Sequence, residues 1–164
     1  MNPLLKEIFA LAADVVERGR AKSVTVGTAE SCTGGLIGGA LTAIAGSSAV
    51  YQGGVVSYSN ALKTALLGVS ESALSEHGAV SEEVASAMAM GARTRLGVDF
   101  ALAVTGIAGP GGGSEAKPVG TVWIALARPG GVSAKRMDYG DIGRNRVRDE
   151  TVRDGLKMLA DALA

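Results

Sequence analysis

The order in which strand-like and helix-like segments alternate constrains this chain more than any other feature. Three short runs rich in β-branched or apolar residues, Ser23–Thr28 (SVTVGT), Val50–Tyr58 (VYQGGVVSY) and Asp99–Thr105 (DFALAVT), are separated by stretches with helical spacing. Strands joined through helices run parallel, so all three should end on one edge of a single sheet. A fourth run, VGTVWIALA from Val119, meets the turn PGG and is followed by Val132–Tyr139, the pattern of an antiparallel hairpin. Asn2 and Pro3 open an N-terminal amphipathic helix, and Thr33–Ile44 reads as a helix of small residues. Ala61–Leu67 and Glu71–Glu76 read as short helices, Ser81 caps a longer one, and Arg144–Leu163 closes the chain as an amphipathic helix. The order αβαβαααβββα indicates an α/β fold with helices packed on a mixed sheet. A glycine pair inside the second strand, Gly53–Gly54, predicts a bulge or a close approach of another group.

Composition narrows the function. The 164 residues match the length of one domain, and 16 basic residues balance 16 acidic ones. That balance removes the electrostatic argument for a nucleic-acid or membrane-surface partner. One cysteine and one histidine make a protein-only zinc site improbable, and no metal or cofactor is expected. The N-terminal helix is interrupted by charges such as Lys6 and Glu7, unlike a signal peptide. No apolar run is long enough to span a bilayer, and a cytoplasmic protein is expected.

Ligands of open α/β sheets bind beyond the carboxyl ends of the strands. Ser31, Tyr58 and Thr105 lie at or just past those ends, and the hairpin should return Gly140, Asp141 and Arg144 to the same edge. In AESCTGG, a serine between strand and helix can act as a nucleophile beside free N–H groups, or Ser31 or Thr33 can simply cap the helix. Cys32 is the competing nucleophile, but its natural partner, His77, follows a short helix and is expected at the opposite edge. Without a histidine, a serine nucleophile needs another base, and a lysine whose pKa is lowered by burial can serve. SYSNALK supplies Tyr58, Asn60 and Lys63, with Lys63 about one turn into a helix that starts at that edge. The loop GIAGPGGGSEAKP offers main-chain N–H groups for an anion, yet it lacks the Walker ending and no helix follows it. Among the arginines near the last helix, Arg144 is the best phosphate partner and Arg148 the second choice.

The segments TAESCTGGLIGGALT, GGVVSYSNALKTALLGV, GAVSEEVASAMA, VTGIAGPGGGSEAKPVGTVWIA and the late GD…R…VR resemble the CinA C-terminal domain family of nicotinamide-nucleotide amidases. The resemblance implies a three-layer α/β/α sandwich with a mixed, mostly parallel sheet, and a homodimer or higher homo-oligomer. It implies hydrolysis of nicotinamide mononucleotide to nicotinic acid mononucleotide and ammonia, in pyridine nucleotide salvage, without a cofactor. By motif position, Ser31 is the nucleophile and Lys63 and Tyr58 its activating partners. Glu30, Thr33, Gly34, Asn60, Thr105, Gly106, Gly109, Gly111 and Arg144 are the substrate-binding positions. Ile142 and Gly143 stand where many members have no residue, so Asn145 or Arg146 competes with Arg144 for the phosphate. Longer members carry an N-terminal molybdopterin-binding-like domain; residues 1–164 are expected to form the amidase-type domain alone. The alternative reading is a non-catalytic nucleotide-binding or interaction module of the same competence-associated family.

Overall fold

A computed structural model describes residues 1–164. Its elements are α1 (Pro3–Lys22), β1 (Val26–Glu30), α2 (Leu36–Thr42), a 3₁₀ turn (Ser47–Ala49), β2 (Tyr51–Val56), α3 (Asn60–Leu67), α4 (Glu71–His77), α5 (Glu82–Leu96), β3 (Phe100–Gly106), β4 (Thr121–Arg128), β5 (Gly131–Asp138) and α6 (Arg144–Ala162). One five-stranded sheet has the order β2-β1-β3-β4-β5. β1 pairs in parallel with β2 and β3, while β4 runs antiparallel to both β3 and β5. The carboxyl ends of β1, β2 and β3 therefore share one edge, and the end of β5 returns there.

Strand alternation divides the core into two unlike halves. Leu102, Val104, Ile124 and Leu126 face α1 and α6, where Ile8, Val15, Val152 and Leu156 complete a layer of large aliphatic side chains. Ala101, Ala103, Ala125 and Ala127 point the other way, against Ala85, Met88, Ala89 and Ala92 of α5. Small residues on both surfaces let α5 lie close to the sheet, and close packing is what recovers dispersion energy there. The result is an α/β/α sandwich with α1, α2 and α6 on one side and α3, α4 and α5 on the other.

Two local expectations need correction. The helix after β1 does not begin at Thr33. Gly34 and Gly35 adopt φ of 60° and 104°, so the chain turns twice before α2 starts at Leu36. No side-chain oxygen of Ser31 or Thr33 caps that helix, whose N-cap is Gly35. In β2 both expectations for the glycine pair hold. The register slips between Val26↔Tyr51 and Gly27↔Gly53, and a Cβ on Gly54 would overlap the Thr28 and Tyr51 hydroxyls.

Candidate functional site

Ser31 follows β1 directly, and its N–H still donates to Val104 O, so the central strands fix its position. From the neighbouring edge, Ser57 N–H donates to Glu30 O, which prolongs the β1–β2 pairing past Val56. The chain then turns at Ser59, whose hydroxyl caps α3 by accepting from Leu62 N–H. That cap sets the phase of the helix, so Lys63 points inward rather than to solvent. Only Lys63 and Leu67 of α3 are buried, and Lys63 is 1% exposed.

Lys63 Nζ lies 3.0 Å from Ser31 Oγ, 2.9 Å from Ser57 O and 3.2 Å from Tyr58 O. No carboxylate forms an ion pair with it. Burial without a counter-charge pushes its pKa below the usual lysine value, only partly opposed by the nearby Cys32. A neutral amine has two N–H groups and one lone pair. The two carbonyls take the N–H groups, which leaves the lone pair facing Ser31 Oγ. The arrangement is suited to removing the serine's proton.

Around this pair opens a cavity of about 230 Å³, lined among others by Tyr58, Asn60, Thr105, Gly106 and Arg144. A larger hollow between β4, β5 and α6, about 490 Å³, contains no comparable pairing of nucleophile and base. Arg144 opens α6 and spans the cavity mouth, donating to Gly109 O at 2.8 Å and to the Tyr58 hydroxyl at 3.0 Å. Arg146 turns away to Glu150, so the residues after Gly143 bring Arg144 rather than Arg146 to the cavity.

The remaining expected residues are placed unevenly. Tyr58 reaches Lys63 through its carbonyl, whereas its hydroxyl, on a 61% exposed residue, binds Arg144. Its side chain thus makes no hydrogen bond to Ser31 or Lys63. Glu30 lies beneath α2, where its carboxylate accepts from the Thr33 hydroxyl at 2.6 Å and from the N–H groups of Ile37 and Gly38. Glu30 and the Thr33 side chain therefore hold the turn from inside, and neither lines the cavity. Gly34 faces the Arg148 guanidinium, and Gly111 has open space around its Cα. The Thr105 hydroxyl lines the cavity but is committed to Ala79 O.

His77 is not at the opposite edge. α5 must begin where the parallel strands end, so the segment before it lies beside the cavity, which Ala79 and Val80 help to line. The His77 ring itself sits between Glu76 and Glu83, and its carbonyl accepts from Lys117 in the glycine-rich loop. Cys32 is buried, and loss of solvation pushes its thiol up to about 12. It stays a thiol at neutral pH. Arg148, the second choice for the phosphate, donates to Cys32 O and Thr33 O instead and does not line the cavity. No group of three or more His, Cys, Asp or Glu side chains is placed to hold a metal ion, and no helix is long and apolar enough to cross a membrane.

Comparison with known proteins gives a consistent result. The model of the CinA C-terminal domain matches residues 8–163. A CinA-like protein of Synechococcus sp. (strain RCC307) is 52% identical over 151 residues, which is 92% of this chain and 36% of that protein. A CinA-like protein of Mycolicibacterium vanbaalenii is 47% identical over 96% of this chain and 38% of its own length. The chain thus spans a little over a third of these relatives. Among solved structures, the competence/damage inducible protein CihA of Agrobacterium tumefaciens superposes with a TM-score of 0.92 at 53% identity, covering 96% of this chain and 95% of that one. A CinA superfamily protein of Klebsiella pneumoniae 700603 gives 0.91 at 36% identity over 95% and 97%.

Proposed function

Since the chain belongs to the CinA C-terminal domain family, we propose that it is a nicotinamide-nucleotide amidase, converting nicotinamide mononucleotide and water to nicotinic acid mononucleotide and ammonia. The observation that carries this reading is the 3.0 Å contact between Ser31 Oγ and a buried lysine that has no counter-ion. A protein that only held a nucleotide has no use for such a lysine, whose burial costs stability.

Ser31 Oγ attacks the carboxamide carbon while the neutral Lys63 amine takes its proton. The protonated lysine then gives that proton to the departing amide nitrogen, and ammonia leaves an acyl ester on Ser31. Lys63, neutral again, draws a proton from water, whose oxygen attacks the ester carbon; the C–Oγ bond breaks, the protonated lysine returns that proton to Ser31 Oγ, and the acid is freed. In this reading Arg144 exchanges its bonds to Gly109 O and the Tyr58 hydroxyl for the substrate phosphate. Asn60 and the main chain near Gly106 border the rest of the nucleotide.

The test is ammonia release from nicotinamide mononucleotide, with nicotinamide alone as control. Ser31→Ala and Lys63→Ala are expected to fold and to lose at least about 10²–10⁴ in rate. Full activity in Ser31→Ala overturns the mechanism. If the wild-type protein binds the nucleotide without releasing ammonia, the binding-module reading replaces this one.

A further inference from the structure

We propose that Lys117 is a positioning residue for nucleotide binding, holding the glycine-rich loop at the cavity once Arg144 has turned to the phosphate. The inference rests on that proposed turn of Arg144 and deepens it. Residues 108–113 (AGPGGG) border the cavity through Ala108. Their one hydrogen bond is the one Gly109 O accepts from Arg144. The residues that follow form a small closed turn, in which Ser114 N–H donates to Lys117 O and Lys117 N–H donates to Ser114 Oγ. Two cations alone tie that turn to the rest of the molecule by hydrogen bonds. Lys117 Nζ donates to His77 O, and a terminal nitrogen of Arg136 donates to Ala116 O at 3.2 Å.

Of these two ties, Lys117 is the one that reaches the cavity wall. His77 O lies two residues before Ala79, which lines the cavity with Val80 and whose carbonyl is held from the other side by the Thr105 hydroxyl at 3.0 Å. Gly78 leaves room for the approach, since a Cβ there would stand 3.2 Å from Lys117 Nζ. No carboxylate forms an ion pair with Lys117, so its ammonium is given to the carbonyl, and a charged donor makes the stronger bond. Without nucleotide the loop is therefore held twice, by Arg144 at Gly109 and by Lys117 at His77. When Arg144 leaves Gly109 O, only the outer tie between loop and wall remains. Four of residues 108–113 are glycine, and ordering glycine costs more than ordering any other residue. A loop released at both ends would charge that cost against the nucleotide.

Hydrogen exchange across residues 107–118, with and without saturating nicotinic acid mononucleotide, tests the tie without depending on turnover. In the wild-type protein the loop is expected to exchange no faster with nucleotide than without it. In Lys117→Met it should exchange faster with nucleotide bound than without, because only then are both ties gone. Affinity for the nucleotide should fall about three- to tenfold, Lys117→Arg should recover most of it, and the thermal midpoint without nucleotide should stay at the wild-type value. A Lys117→Met loop that exchanges no faster when nucleotide is bound overturns the inference. Equal loosening with and without nucleotide also overturns it, since a merely structural bond would behave that way. Should Lys117→Met not fold, Lys117→Gln carries the same comparison. Wild-type protein that binds the nucleotide but releases no ammonia from nicotinamide mononucleotide removes the amidase reading and leaves the tie to be judged by exchange. Wild-type protein that does not bind the nucleotide overturns both.

Discussion

Lys63 is the side chain on which the proposed chemistry depends, and its surroundings allow one proton count to be distinguished from another. An ammonium there donates all three hydrogens, one of them to Ser31 Oγ, and cannot accept the serine's proton. Activity should therefore rise with pH as Lys63 deprotonates, with its midpoint below the ordinary lysine value of 10.5 because burial lowers it. A pH profile of kcat/KM measures this, and Lys63→Arg should be inactive throughout because a guanidinium does not give up its proton. Cys32 makes the opposite case. Its thiol is pushed up to about 12, so it should react slowly with iodoacetamide, and Cys32→Ala should keep activity within a few-fold. A dead Cys32→Ala with unchanged thermal stability would contradict the choice of Ser31. Ser31, Lys63 and Arg144 were legible in the sequence because their offsets from strand ends and helix starts are short. Glu30 and Arg148 were not, since their bonding depends on two successive glycine turns whose direction no spacing rule conveys.

At the scale of elements, α3 carries the proposed base, and its seat against α5 decides where Lys63 stands. A Cβ on Gly91 of α5 would fall inside the Leu67 carbonyl of α3, so glycine is what lets the two helices touch. Gly91→Ala should push α3 outward and lengthen the Lys63–Ser31 contact while leaving the sheet paired. The expected outcome is a loss of about 10-fold or more in kcat, since small misplacements cost heavily in rate, with far-ultraviolet circular dichroism unchanged. Wild-type kcat in a folded Gly91→Ala protein would show that α3 adjusts without cost. The elements themselves were legible where composition was strong: FALAVT and VWIALA read as strands, and the fold then sends their large aliphatic residues to α6 and their alanines to α5. The α2 boundary was not, because glycines at 34 and 35 fit a helical pattern of small residues equally well until their positive φ values are known. The position of His77 failed for a topological reason, as two short helices precede α5 and only the last must start at the site edge.

At the scale of the molecule, the same lysine links function to stability. Its folded pKa lies below the unfolded value, so below that pKa the folded state bears the full cost of a buried ammonium. Between the lowered pKa and 10.5 the unfolded chain binds more protons, and the wild-type protein gains stability with rising pH. Relative to Lys63→Met, which lacks the titration, that gain approaches about 1.4 kcal/mol per pH unit within the window. Denaturant unfolding of the two proteins side by side measures it, and parallel curves would show that Lys63 titrates alike in both states. The parallel-then-antiparallel sheet followed from the order of segments and its two helical layers from the family resemblance, which is why the whole fold was more legible than any single turn.

The core of α3 consists of Lys63 and Leu67 alone, which has an evolutionary consequence. Methionine has nearly the length of lysine, and a lysine codon AAG becomes ATG by a single base change. Such a change would keep the helix seated and the Arg144 clasp intact while abolishing proton transfer. On the proposed chemistry, that one base change would turn a chain that acts on its nucleotide into one that only binds it.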